Sequence, residues 1–311
     1  MGKISTRQAY GETLAALAKT HPEIVVLDAD LSKSTKTYEF FKVAPERFFN
    51  VGIAEQNMAG ISAGLAASGK TVFMSTFAVF ASGRAFEQIR NSICHTRLNV
   101  KIAATHSGLT VGEDGGSHQS VLDISLMRAL PNMTVLVPAD ANQTRRIIEK
   151  AVEVKGPMYI RLGRMDVEEI SGPEDSFQIG KANVLKDGKD VTLIACGLMV
   201  HEALKAAELL EAEGVKARVL NMASVKPIDQ GAILSAAKET AAIITAEEHS
   251  VVGGLGSAVA EVLAEHPGAP LTRIGVQDSF GESGKPAELL EKYGLTAANI
   301  AAAAKKAIGK K

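Results

Sequence analysis

Thr134-Val135-Leu136-Val137 and Met158-Tyr159-Ile160 bracket a stretch that opens on Asp140 and runs to about Glu153. The flanks are short apolar runs rich in β-branched residues. The stretch between them is long enough for a helix and opens on an aspartate suited to its N-cap. Strand, capped helix and strand predict one unit of a mostly parallel sheet with helices on its faces.

The rhythm continues in both directions. Upstream lie Val25-Val26-Leu27, Thr71-Val72-Phe73 and Val100-Lys101-Ile102-Ala103, with helical stretches at about 55–68 and 84–96. Between Met165 and Asp190 acidic and polar residues dominate, and Asp187-Gly188 predicts a hairpin turn. Beyond it the βα rhythm returns with Val191-Thr192-Leu193-Ile194, Ala217-Arg218-Val219-Leu220, Ala242-Ile243-Ile244 and Leu271-Thr272-Arg273-Ile274. A helix is predicted at about 201–213, closed by Gly214, and an Ala-rich terminal helix from about Ala297 carries Lys305 and Lys306 near its C-terminal end. The expectation is an α/β chain of two domains, 1–175 and 190–311, each a mostly parallel sheet flanked by helices, with a linker at 176–189.

Composition agrees and excludes several classes. The 311 residues are 46% hydrophobic and 22% charged, ordinary for a globular chain and enough for two cores. Lys plus Arg number 34 against 35 Asp plus Glu, a net charge of -1, which argues against a general nucleic-acid or membrane-surface binder. No apolar run reaches the roughly 18 residues of a membrane span, and the N-terminus lacks the apolar core of a secretory signal. Cys94 and Cys196 are too few and too distant for a disulfide framework or a zinc site. The expectation is a cytoplasmic protein with two buried thiols.

Three places could carry chemistry. Val51-Gly52-Ile53-Ala54-Glu55-Gln56-Asn57-Met58 puts a carboxylate at a helix start, which the helix dipole alone could explain. In Ser75-Thr76-Phe77-Ala78-Val79-Phe80 two phenylalanines three apart could wall a pocket for a flat ring, or simply pack a core. Third, a strand ends at His106 and a glycine-rich loop follows: Ser107-Gly108-Leu109-Thr110-Val111-Gly112-Glu113-Asp114-Gly115-Gly116-Ser117-His118. Open α/β sheets bind ligands in such loops, and the glycines let backbone approach a ligand closely. Two imidazoles and two carboxylates favour a substrate loop over a purely structural one. The two histidines lack a metal-ligand spacing. Gly253-Gly254-Leu255-Gly256 is no dinucleotide fingerprint and reads as a tight turn.

Together these segments resemble the C-terminal half of transketolase, and more closely the smaller subunit of split transketolases. The resemblance covers nearly the whole chain and is strongest over 51–164, where several motifs recur in order. It implies a pyrimidine-binding domain of a thiamine-diphosphate enzyme followed by the transketolase C-terminal domain. In that family a glutamate bonds the cofactor's pyrimidine N1′ and favours the imino tautomer whose nitrogen takes the thiazolium proton. Here it is Glu55, with Ile53, Ala54 and Met58 as apolar surroundings that help it share a proton. Phe77 and Phe80 match the family's aromatic wall; its third aromatic falls on Gly83, a departure. Asp30 matches an aspartate near the cofactor, in preference to Asp28.

The resemblance also places Arg7, Ser34, His106 and Arg164 around the substrate phosphate, where guanidiniums and an imidazole suit a dianion. Arg161 is the less favoured neighbour of Arg164. Asp114 matches the carboxylate that bonds a substrate hydroxyl, and His118 a histidine of the same channel, a candidate for proton transfer. Ser107 stands where many single-chain transketolases carry an acidic residue.

A diphosphate needs a hard cation with oxygen ligands. The family supplies it with a Gly-Asp-Gly motif and a downstream Asn, for which this sequence offers no counterpart. The resemblance therefore implies that thiamine diphosphate is shared with a partner N-terminal subunit, which binds the Mg2+ (or Ca2+), in an α2β2 heterotetramer. The implied reaction moves a two-carbon ketol unit from a xylulose 5-phosphate type donor to an aldose phosphate, as in the pentose phosphate pathway. Alternatives are half of a deoxyxylulose-phosphate-synthase-like enzyme, whose pattern has His where Asn57 stands, a β-subunit of a 2-oxoacid dehydrogenase, or a binding module without catalysis of its own. His249 has no assigned task and reads as a satisfied core or interface histidine.

Overall fold

A computed structural model describes residues 2–172 and 175–309. Two large sheets carry the chain, beside a small antiparallel pair of Ile4–Ser5 with Asp166–Val167. The first has seven strands in the order Ser224–Lys226, Thr134–Leu136, Met158–Arg161, Val100–Ala104, Thr71–Ser75, Ile24–Asp28 and Phe48–Asn50. All neighbours are parallel except the edge strand Ser224–Lys226, which comes from the C-terminal half. The four longest strands from Ile24–Asp28 to Met158–Arg161 are buried at every position, as a sheet covered on both faces requires. The opening stretch folds as predicted: the helix Ala141–Glu153 begins at Asp140, whose carboxylate accepts the Gln143 N–H at 2.7 Å.

The second sheet runs Leu271–Val276, Ile243–Ser250, Val191–Ala195, Ala217–Asn221 and Asn183–Lys186, parallel but for the last. Helices Met199–Ala212 and Ala297–Ile308 cover one face through alanines that let them approach closely. Two sequence expectations change here. Asn183–Lys186 lies within the segment expected as linker yet is a strand. Asp187-Gly188 forms no hairpin, because the strands on either side of it flank Ala217–Asn221 instead of pairing with each other. A Cβ on Gly188 would lie 2.6 Å from the Ala217 carbonyl oxygen, so glycine is needed where the chain crosses that strand.

The expected helix at 84–96 also differs. The segment starts at Phe80 and is wound more widely, with Ala85 N–H donating to Phe80 O and His95 N–H to Arg90 O across five residues. Such π turns recur at functional sites, since they re-aim side chains within one element. Glu55–Ala67 is a regular helix as expected. Among the described residues no helix is long and apolar enough to cross a membrane. Both cysteines are free and buried.

Candidate active site

The C-terminal ends of adjacent strands in the first sheet gather the residues singled out above. Phe48–Asn50 leads through the Gly52 turn to Glu55. Ile24–Asp28 leads to Asp30 and Ser34, Thr71–Ser75 to Phe77 and Phe80, and Val100–Ala104 to His106 and its loop. Parallel strands place all these loops on one edge, where open α/β sheets bind ligands.

Phe77 and Phe80 lie nearly parallel, 10° apart with centroids at 6.0 Å, and the His106 ring stacks on Phe77 at 3.8 Å. His118 meets Phe80 edge-on at 5.5 Å. Glu55 sits at the first helical position with its side chain 1% exposed. Its surroundings differ from the apolar setting expected. Ile53 is 77% exposed and points away, whereas Met58 is buried. Arg84 instead donates to the Glu55 carboxylate at 2.8 Å and lies over the Phe80 ring at 4.5 Å. The sequence reading missed this arginine, which lies four residues past Phe80 at the end of the wide turn Phe80–Arg84. It also tests the site's chemistry. A flat N–H donor stacks on the aromatic wall and bonds Glu55, the two contacts an aminopyrimidine ring would need, so these residues fit one. Beside the wall, a Cβ on Gly83 would meet nothing within 4 Å. The far edge opens into a space of about 110 Å³ reaching Leu122 and Phe280.

Asp30 is held in a left-handed conformation, φ 65°, by reciprocal hydrogen bonds with Asn50 at 3.1 Å. Asn50 also accepts from the Gly52 N–H, which ties Asp30 to the turn before Glu55. Asp28 is fully buried and accepts from the Leu31 amide and from the hydroxyls of Thr35 and Thr37. It shapes the Ser34 loop from behind and cannot face a ligand.

The second cluster gathers Arg7, Ser34 and His106. Arg7 donates to the Ser34 carbonyl at 2.8 Å and meets His106 Nε2 at 3.2 Å. Burial, helped by Arg7 and Arg164, pushes the His106 imidazole down to about 3, so it is neutral. With an Arg7 N–H against Nε2, the ring proton sits on Nδ1 and is donated to Thr105 Oγ1 at 2.8 Å. In this geometry His106 supplies an acceptor that aims Arg7, not a cation. Burial and the nearby Arg164 also hold Arg7 below its ordinary value, and its buried Nε has no partner among the described residues. Two neighbouring guanidiniums with a spare donor suit an anion. Arg164 is half-buried and reaches Val111 O at 2.6 Å and Asp114 at 3.4 Å. Ser107 donates to Leu162 O at 3.0 Å, pinning the loop to the sheet.

Arg161 takes no part in this cluster. It is 5% exposed and bonded to Asp123 at 2.7 Å, with Tyr159 donating to the same carboxylate. His249 is fully buried, its Nδ1 on Ser250 O and its Nε2 accepting the Ser125 N–H. The first removes the alternative to Arg164, and the second agrees with the reading of His249 as a satisfied core histidine. The Gly253 turn leads into the helix Leu255–Glu265, whose first amides are already taken by the buried Glu247 carboxylate at 2.7 Å. No cluster of three His, Cys, Asp or Glu residues able to hold a metal occurs among the described residues.

Two family models match the chain. "Transketolase, pyrimidine binding domain" covers residues 2–169 and "Transketolase, C-terminal domain" residues 180–300. A protein of Methanocaldococcus jannaschii named as a transketolase C-terminal section is 53% identical over 95% of this chain and 93% of its own. The 6-deoxy-6-sulfo-D-fructose transketolase subunit of Clostridium sp. (strain MSTE9) is 46% identical over 96% of this chain and 92% of its own. Among solved structures, a split gene transketolase described as an inactive beta4 tetramer superposes with a TM-score of 0.91 at 58% identity, over 99% of both chains.

Proposed function

The chain belongs to the transketolase family, and from that premise we propose that it is the C-terminal subunit of a two-chain transketolase. The subunit transfers a two-carbon ketol unit between sugar phosphates, from a xylulose 5-phosphate type donor to an aldose phosphate. One observation carries this reading. The Glu55–Phe77–Phe80 pocket and the cationic Arg7–Arg164 pair lie on one sheet edge, bridged by His106, which touches both. A ring-binding pocket beside an anion site is what a phosphorylated substrate reacting at a bound ring requires.

Thiamine diphosphate, when bound, would supply the nucleophilic carbon chemistry that two-carbon transfer needs. This chain's residues bind and orient. Phe77 and Phe80 offer a flat apolar wall. Glu55 holds a proton at the pyrimidine nitrogen. Asp30 stands near the same ring. Arg7, Arg164 and the Ser34 loop hold the phosphate, with neutral His106 fixing Arg7. Asp114 accepts from a substrate hydroxyl, and His118, half-buried beside Phe80, moves a proton in the channel.

The divalent metal and diphosphate sites belong to the N-terminal partner, in an α2β2 assembly. The names of two relatives, "C-terminal section" and "split gene", support a separate partner chain. The name of the Clostridium relative favours a second reading, in which the anion site takes a sulfonate in place of a phosphate. The test is a coupled assay of this chain with an N-terminal partner, thiamine diphosphate and Mg2+. Donors are xylulose 5-phosphate and 6-deoxy-6-sulfofructose, each with ribose 5-phosphate. Turnover with the first supports the proposal; turnover with the second alone moves the substrate to sulfonates, and none with either overturns the reading.

A further inference from the structure

The loop that carries His106, Asp114 and His118 has little regular structure of its own. Gly108, Gly112 and Gly115 all sit at positive φ, and such residues lose much freedom when fixed. Ser107, Arg164 and Gln119 hold the loop from within the first domain, and the other domain adds a further hold. The strand Ile243–Ser250 of the second sheet delivers Glu248, 5% exposed, under the loop. The Thr110 N–H donates to Glu248 Oε1 at 2.6 Å; burial raises the pKa of this carboxyl group, opposed by the Arg161 charge and by hydrogen bonds from Thr110 and Leu109. The fit leaves no slack. A Cβ on Gly108 would fall 2.3 Å from the Glu248 carboxyl carbon.

Glu248 is itself fixed. Arg161, locked by Asp123, donates to the Glu248 carbonyl at 2.9 Å and to Ser120 O, where the loop ends, at 3.2 Å. Gln119 adds a second tether by donating to Leu109 O at 3.0 Å and to Glu282 O at 2.9 Å, and Ser283 donates to Glu113 O at 2.7 Å. Arg161 bonds the backbone carbonyl of Glu248, while the carboxylate's bonds go to the loop. A buried carboxylate is costly unless its hydrogen bonds are well made, and here they go to the segment bearing three candidate substrate residues.

We propose that Glu248 is a positioning residue, through which the C-terminal domain sets the substrate loop against the bound sugar. The functional half of this inference rests on the transketolase reading; the structural half does not. A misplacement of about 1 Å near reacting groups can cost about 100-fold.

The test uses Glu248→Ala and Glu248→Gln in the complex with the partner subunit. The glutamine keeps an acceptor for the Thr110 amide and guards against a variant that merely fails to fold. Glu248→Ala should lose about 10- to 100-fold in kcat/KM for the ketose phosphate, with KM raised, and Glu248→Gln should stay within a few-fold of the native protein. Hydrogen exchange reads the loop directly. Amides at 108–113 should exchange faster in Glu248→Ala than in Glu248→Gln, while the strand Val100–Ala104 stays protected. Unchanged exchange in Glu248→Ala overturns the clamp. Faster exchange with unaltered kinetics overturns its role in positioning. A native complex without turnover refutes the transketolase reading, and the exchange result still decides whether Glu248 holds the loop.

Discussion

Glu55→Gln separates the chemistry of this site from its architecture. The carboxylate makes one charged hydrogen bond, from Arg84 at 2.8 Å. Bonds to charged groups contribute about 1.5–3 kcal/mol. The glutamine oxygen still accepts from Arg84, and the Arg84 side chain is 47% exposed, so water can serve whatever the amide does not. The structural cost should therefore be about 1 kcal/mol, a fall of about 1–2 °C in Tm for a chain this size. Catalysis should suffer far more. An amide cannot hold the proton between itself and the ring nitrogen, and a group in that role contributes about 100- to 10,000-fold. That loss corresponds to about 3–5 kcal/mol of transition-state stabilisation. Calorimetric melting of the subunit and kcat of the complex with its partner, at saturating cofactor, measure the two effects separately. A kcat within twofold of native would refute the role given to Glu55. A fall in Tm beyond about 10 °C would instead make Glu55 a structural residue.

Three further outcomes are expected. Arg164→Ala should raise KM for a phosphorylated ketose about tenfold with little change in kcat, and leave KM for an unphosphorylated ketose unchanged; steady-state kinetics on both sugars checks this. Asp123→Ala strands the buried Arg161 guanidinium and should cost about 3–5 kcal/mol, a fall in Tm on the order of 10 °C by calorimetry. His106 is held at about 3 in the fold against 6.5 for a free imidazole. Between those values the unfolded chain binds a proton that the folded one does not, so this contribution is complete above about pH 6.5 and is lost as pH falls toward 3. His106→Asn, which tolerates the left-handed backbone, should flatten the acid limb of a urea-denaturation series by up to about 1.4 kcal/mol per pH unit.

The fold was legible where local signals and periodicity agree. The strand pattern, the Asp140 cap and the terminal helix from Ala297 follow from residues close in sequence. The errors lie where distant strands decide. Asp187-Gly188 has the composition of a hairpin, yet Ala217–Asn221 separates the strands it joins, because a crossing costs nothing that local chemistry records. The widened turns from Phe80 likewise leave no mark in propensity.

For the site, the sequence alone determined which chemistry is present. A phenylalanine pair and a histidine-bearing glycine loop each sit just past an expected strand, and a parallel sheet must bring such places to one edge; the strand Phe48–Asn50 before the carboxylate came only with the fold. Tertiary structure decided what each group does. It set Arg84 against Glu55 and made His106 neutral by burying it beside two guanidiniums. It withdrew Arg161 from the anion site by pairing it with Asp123 and brought Glu248 beneath the loop from 138 residues away. Local sequence fixes the type of a functional group. Its charge, tautomer and aim depend on neighbours that only folding supplies, because desolvation and Coulomb interactions act through space and not along the chain.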